Sequence, residues 1–275
     1  MFISHTKSPT SKIYDSLVSR FPEDLYPSYS SEYFDRVISG YEIMKKSSVF
    51  VCGIMRNIEC NVKRLCARIR KIESLFNEFD YYFYENDSTD DTVRLFTQCF
   101  NLESETLMTG KYYDKSSERR ELMANARNKY LSKAQHSKAD YTIVIDTDVL
   151  GGYSYDGIAN SISYQRDVMT SNGLYYSPQR VYYDSWAYRK FNNESDLGDL
   201  PNLLVFNRGE QPVEVFSGFG GMAIYNQCIH NAGHYTSDDC DHVTLHKQLR
   251  NAGYKIWLNP SQLVLYNETQ YGIIK

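Results

Sequence analysis

Three times between residues 48 and 148 a short apolar run breaks off into a polar cluster, and each time a stretch with helical spacing stands beside it. The first run, 48–52, ends at Gly53 and is followed by Val62, Leu65, Ile69, Ile72 and Leu75, which recur every three or four residues as one face of a helix does. The second is the aromatic run 81–84, which stops at Glu85-Asn86-Asp87-Ser88-Thr89-Asp90-Asp91 before a helical stretch over 92–99. The third, 141–145, is fed by a helix over about 118–134 and ends at Asp146-Thr147-Asp148. Short strands that alternate with helices predict an α/β fold built on an open sheet. Polar residues gathered past the strand ends place the ligand crevice there.

The second half has a different texture. Apolar runs at 173–176, 203–206, 213–216 and 222–225 are interrupted by Gly, Asn and Pro, and a last helix is expected over 241–252. No low-complexity linker separates the halves, so 47–275 reads as one domain, with a nucleotide-side half to about 150 and an acceptor-side half after it. Residues 1–46 are polar and Tyr-rich, with helix-like stretches at 11–20 and 30–46 divided by Pro22 and Pro27, and read as a helical extension.

Charge and cysteine content narrow the function classes. A net charge of −4 gives no global pull toward nucleic acid. The one basic cluster, Lys63, Arg64, Arg68, Arg70 and Lys71, interleaves with the apolar positions of its helix and reads as a solvated face. The six cysteines lack a CxxC pair and no hydrophobic signal segment opens the sequence, so reduced thiols in a cytoplasmic protein are expected. No apolar run is long enough to span a membrane.

The chemistry centres on Asp146 and Asp148. Two carboxylates one residue apart at a strand terminus can hold a divalent cation that bridges a diphosphate. After the second strand, Glu85, Asn86 and Asp87 offer acceptors and amides to a base edge and ribose hydroxyls, while Ser88 to Asp91 suit a helix N-cap. Arg120 and Arg127 are two helical turns apart and can reach phosphate oxygens from one side; a surface ion-pair role is the alternative. Gly53, Arg56 and Asn57 bring a close backbone approach and two polar groups to the same crevice. Asp239, Asp241 and His242 open the last helix, where a carboxylate or imidazole could orient an acceptor hydroxyl or take its proton, or simply cap the helix. His246, one turn after His242, is a further candidate metal ligand.

Taken in order, these features resemble the nucleotide-sugar glycosyltransferases of GT-A fold. Residues 118–131 followed by DYTIVIDTD, YYDSW at 182–186, SGFGGMAIYN at 217–226 and DHVTLHKQLRNAGYKIWLNPSQLVLYN at 241–267 are most similar to the fungal mannan-type α-mannosyltransferases, over about residues 48–267. The resemblance implies a sugar-nucleotide donor, Mn²⁺ or Mg²⁺ on Asp146 and Asp148, and transfer with retention. It also implies that Gly220 and Gly221 let the backbone approach the transferred sugar and that Tyr183, Asp184 and Trp186 flank donor or acceptor. The chain departs from that family at Asn267, where a metal-binding His is the rule.

Three other readings stay open. A haloacid dehalogenase-like phosphatase also opens on an apolar strand and Asp-x-Asp, but at its start and not mid-chain. A non-catalytic sugar-binding protein would keep the scaffold without turnover. A transferase acting on hydroxymethylated DNA bases would use the same donor half, and a glycan acceptor is preferred because no basic stripe is present.

Overall fold

The computed structural model describes residues 30–105, 117–176, 180–191, 204–231 and 233–266. The helix expected at 11–20 and the position Asn267 lie outside the described residues. The chain is α/β: among the described residues eleven strands form one mixed sheet with helices on both faces.

Strands β1 (Ser48–Met55), β2 (Glu78–Asn86), β3 (Glu103–Glu105) and β4 (Tyr141–Ile145) are all parallel, in the order β3-β2-β1-β4. They are reached through α2 (Val62–Glu73), α3 (Thr92–Phe96) and α4 (Ser117–Ser137). A strand covered on both faces must be apolar throughout, which is why β4 reads as an unbroken run. Alternate residues of β1 enter different cores: Val49 and Val51 pack with α2, Phe50 and Cys52 with α4.

The second half continues the same sheet. β10 (Met222–Asn226) runs antiparallel to β4 and to β6 (Val168–Tyr176), and β6 pairs in parallel with β11 (Ile256–Leu265). β9 (Val213–Ser217) and β8 (Arg189–Lys190) close that edge, while β5 (Gly152–Tyr153) and β7 (Arg180–Tyr182) attach to β11 and β6. The expected runs at 213–216 and 222–225 are strands, and the run at 173–176 is the end of a longer one. Residues 204–207 form no strand. The final helix α6 (Asp241–Asn251) lies where expected.

Of the expected N-terminal extension, the described part is α1 (Ser31–Met44), which places Tyr33, Val37 and Met44 in the main core and packs on α5 (Tyr155–Ser163). Their crossing is tight: a Cβ on Gly40 would lie 1.8 Å from the Ala159 carbonyl oxygen.

The basic face of α2 is not wholly solvated. Arg68 and Lys71 are 0% and 1% exposed. Arg68 donates from Nη1 to Val149 O at 2.5 Å and from Nη2 to Leu150 O at 2.7 Å, because the loop after β4 has carbonyls that no strand partner reaches.

Candidate active site

Parallel pairing brings the C-terminal ends of β1, β2 and β4 to one edge, and α4 crosses in front of them. A pocket of about 220 Å³ opens there. Its walls are Ile54 to Arg56 and Ile58 after β1, Asn86 at the end of β2, Arg119, Met123 and Arg127 from α4, and Asp146 to Asp148 after β4. The three α4 residues follow one another at four-residue spacing and so share a helix face.

The loop holding the two carboxylates is tied down from every side. Asp146 donates its backbone N–H to Gly221 O at 2.9 Å, and its carbonyl accepts the Tyr153 hydroxyl at 2.5 Å. Thr147 Oγ1 donates to Ile54 O at 2.8 Å, and buried Asn61 donates from Nδ2 to Thr147 O at 2.7 Å and Val149 O at 3.1 Å. The Asp146 carboxylate accepts the Tyr266 hydroxyl on Oδ2 at 2.5 Å and faces Arg127 Nη2 across 3.7 Å on Oδ1. Asp148 keeps solvent access at the pocket mouth.

Two carboxylates this close oppose each other's ionisation. Partial enclosure in the pocket and then the charge of Asp146 push Asp148 up to about 6, though one side of it stays open to solvent. Burial also raises Asp146, against the pull of Arg127 and Tyr266. A divalent cation would relieve both effects. Among the described residues no cluster of three or more His, Cys, Asp or Glu side chains converges on one point. The two carboxylates, both oxygen donors, fit an oxygen-seeking divalent ion, which Asp146 and Asp148 would hold.

Arg127 is fully committed. Its Nε donates to Asp241 Oδ2 and its Nη1 to the Tyr130 hydroxyl at 3.2 Å, which donates onward to Tyr235 at 2.8 Å. Asp241 is thus a buried partner of Arg127, 5% exposed. His242, expected as a base, is 2% exposed and stacks on Phe219 with ring centroids 3.7 Å apart. Burial and the nearby Arg127 charge hold it neutral well below its ordinary range. His246 is no ligand candidate either: it sits between Ser217 Oγ at 2.9 Å and the Tyr225 hydroxyl at 3.0 Å. Asp239 pairs with Arg189 at 2.9 Å.

The donor-side residues divide. Arg56 and Asn86 line the pocket. Asn57 instead knits the loops after β1 and β2 together, accepting from Thr89 N at 2.8 Å, while Glu85 braces the second loop internally, accepting from Ser88 N at 2.6 Å. Asp87 sits in the same loop, in left-handed backbone at φ 53°. Within the expected cap at Ser88 to Asp91, Asp91 is the N-cap residue but makes no side-chain capping bond, and Asp90 before it accepts from Thr92 N on Oδ1 at 3.0 Å. Arg120, expected beside Arg127 at the phosphates, donates to Ser237 O at 3.0 Å, and Arg119 takes its place on the pocket wall. Gly53 is buried in the sheet, where a Cβ would lie 2.6 Å from Ile145 O, so its smallness serves strand packing.

Gly220 and Gly221 adopt positive φ of 64° and 86°. A Cβ on Gly221 would stand 2.7 Å from the Tyr266 hydroxyl, so this glycine makes room for the group that holds Asp146. Asp184 is inward-facing and accepts from Gly220 N at 2.9 Å and Ala187 N at 3.1 Å; burial raises it to about 6. Tyr183 stacks on Tyr266 with centroids 3.4 Å apart, and the Trp186 ring lies 5.7 Å from the Arg119 guanidinium carbon. Sequence reasoning missed Tyr266, Asn61 and Arg68. Only the aromatic at the end of an apolar run marks the first, and nothing marks the others.

No protein-family model matches the sequence, and no curated protein does. Among solved structures the chain is similar to the mannosyltransferase PcManGT from Pyrobaculum calidifontis in complex with GDP-Man and Mn²⁺: TM-score 0.49, 15% identity, 86% of this chain and 65% of that one. It is also similar to GalNAc-T7 with UDP, GalNAc and Mn²⁺, at TM-score 0.49 and 12% identity over 80% of this chain and 44% of that one. A third is glucosyl-3-phosphoglycerate synthase from Mycobacterium tuberculosis with Mg²⁺ and UDP, at TM-score 0.46 and 11% identity over 90% and 79%. The chain thus spans less than two thirds of the length of the first two.

Proposed function

We propose that this chain is a metal-dependent glycosyltransferase of GT-A type that moves a sugar from a nucleoside diphosphate onto an acceptor hydroxyl. The reading is carried by the convergence of Asp146 and Asp148 with Arg119 and Asn86 on one pocket past the ends of three parallel strands. Asp146 and Asp148 would hold Mn²⁺ or Mg²⁺, which would supply positive charge to offset that of the leaving group. Arg119 adds a fixed positive charge to the wall that phosphates would meet. Arg127, paired with Asp241, favours the ionised form of Asp146 against the effect of its burial. Asn86 offers its amide to the base or ribose.

A glycan acceptor fits the acidic net charge better than DNA does, and the six free thiols fit a reducing, cytoplasmic setting. Retention and likeness to the fungal mannosyltransferases rest on sequence motifs alone. The phosphatase reading expects its Asp-x-Asp after the first strand of the sheet, whereas Asp146 follows the fourth. Among the described residues no helix is long and apolar enough to cross a membrane.

The test is a thermal-shift screen of UDP-, GDP-, CMP- and dTDP-sugars with and without Mn²⁺, since a ligand selective for the native state raises its melting point. A metal-dependent rise with one nucleotide is expected. Absence of any shift, together with no release of nucleoside diphosphate, would overturn the reading.

A further inference from the structure

We infer that Tyr175 and Tyr183 form an acceptor shelf on which the ring of a pyranose lies, an inference that rests on the transferase reading above. Six large apolar side chains stand exposed among the described residues, and two of them are these neighbours, 39% and 43% exposed with ring centroids 6.3 Å apart. Tyr183 stacks on Tyr266, whose hydroxyl donates to Asp146. A continuous aromatic row therefore leads from solvent to a candidate cation-binding carboxylate.

The shelf is built on sheet, not on a free loop. Tyr175 belongs to β6; Tyr183 donates its backbone N–H to Gly173 O at 2.8 Å and Tyr266 donates to Leu174 O at 3.0 Å. Fixed rings of this kind lose little conformational entropy on binding. A pyranose has a face of C–H bonds and a rim of hydroxyls. The electron-rich face of a tyrosine meets the first, and its phenol group can bond the second.

Sheet order says which substrate belongs here. In the order β2-β1-β4-β10-β6, the strands whose ends form the donor pocket lie to one side of β4 and the tyrosines to the other. Asp146, after β4, borders both, which is where a reaction joining donor and acceptor has to occur.

Saturation-transfer NMR on the full chain with Mn²⁺ and a nucleoside diphosphate tests this, using methyl pyranosides of glucose, galactose, mannose and N-acetylglucosamine, with mannitol as open-chain control. Transfer to the ring C–H protons of at least one pyranoside is expected, reduced threefold or more in both Tyr175→Ala and Tyr175→Leu, with no comparable signal from mannitol. No transfer from any pyranoside, equal transfer in folded variants, or equal transfer to mannitol would overturn the shelf. Wild-type donor hydrolysis is measured alongside. If it is present while the variants bind sugar normally, the shelf fails and the transferase reading stands. If it is absent while pyranosides bind through Tyr175, the transferase reading fails and with it the acceptor role, and the two tyrosines stand as a sugar-binding site alone.

Discussion

Arg127 and Asp241 are hydrogen-bonded inside the protein, from Nε to Oδ2, with side chains 5% and 6% exposed. They are 114 residues apart, and their pairing fixes α4 to the start of α6 behind the candidate site.

Removing one partner leaves the other charge stranded away from water. Asp241→Ala is expected to destabilise the fold by about 3 to 5 kcal/mol, read as a shift in a urea unfolding midpoint. A loss below about 1 kcal/mol would show that the pair is solvated in solution.

Asp148 makes a different case, because it stands at the pocket mouth with solvent access. Asp148→Ala is expected to leave the melting point within a few degrees and to lower donor turnover by at least about a hundredfold, as loss of a catalytic-ion ligand does. Wild-type turnover with added Mn²⁺ would remove Asp148 from the metal site.

Gly221 tests the route by which Tyr266 reaches Asp146. Gly221→Ala forces a side chain into left-handed backbone and against the Tyr266 hydroxyl, so it is expected to cost about 2 to 4 kcal/mol and to abolish Mn²⁺-dependent donor binding. Unchanged Mn²⁺-dependent binding in calorimetry would separate Tyr266 from the function of Asp146.

His246 sets a pH dependence. Burial holds its pKa down at about 3, against an ordinary 6.5, so the unfolded chain takes up a proton below pH 6.5 that the folded chain refuses. Its contribution is therefore intact above pH 6.5 and erodes as pH falls toward 3, by about 2 kcal/mol at pH 5. The loss of stability between pH 7.5 and 5 is expected to be smaller by about that amount in His246→Gln. Parallel pH profiles for the two proteins would refute the assignment.

Much of the first half, to about residue 150, was legible because strands buried on both faces must be continuous apolar runs, as Tyr141–Ile145 is. β11 was hidden because Asn259, Pro260, Ser261 and Gln262 interrupt it and read as a turn. They are buried, Asn259 bonded to Asn160 and Ser161 and Gln262 to Ser171, and the register shift there spans Pro260, which has no N–H to donate. α5 was missed for a related reason: Asn160 and Ser161 face this network, so the helix shows no polar stripe. At the site, the carboxylates were visible as a local motif. The pairing of Arg127 with Asp241, and the burial of Arg68 and His242, depend on contacts between distant segments that local spacing does not encode.

The anchoring of Thr147, Val149 and Leu150 by Asn61 and Arg68 has a kinetic and entropic meaning. Ordering a backbone residue costs about 1 to 2 kcal/mol, and for this loop that cost falls on folding, not on ligand capture. The segment bearing both carboxylates is preorganised, so its on-rate for a cation should be governed by stripping water from the ion and not by any search for the loop's shape.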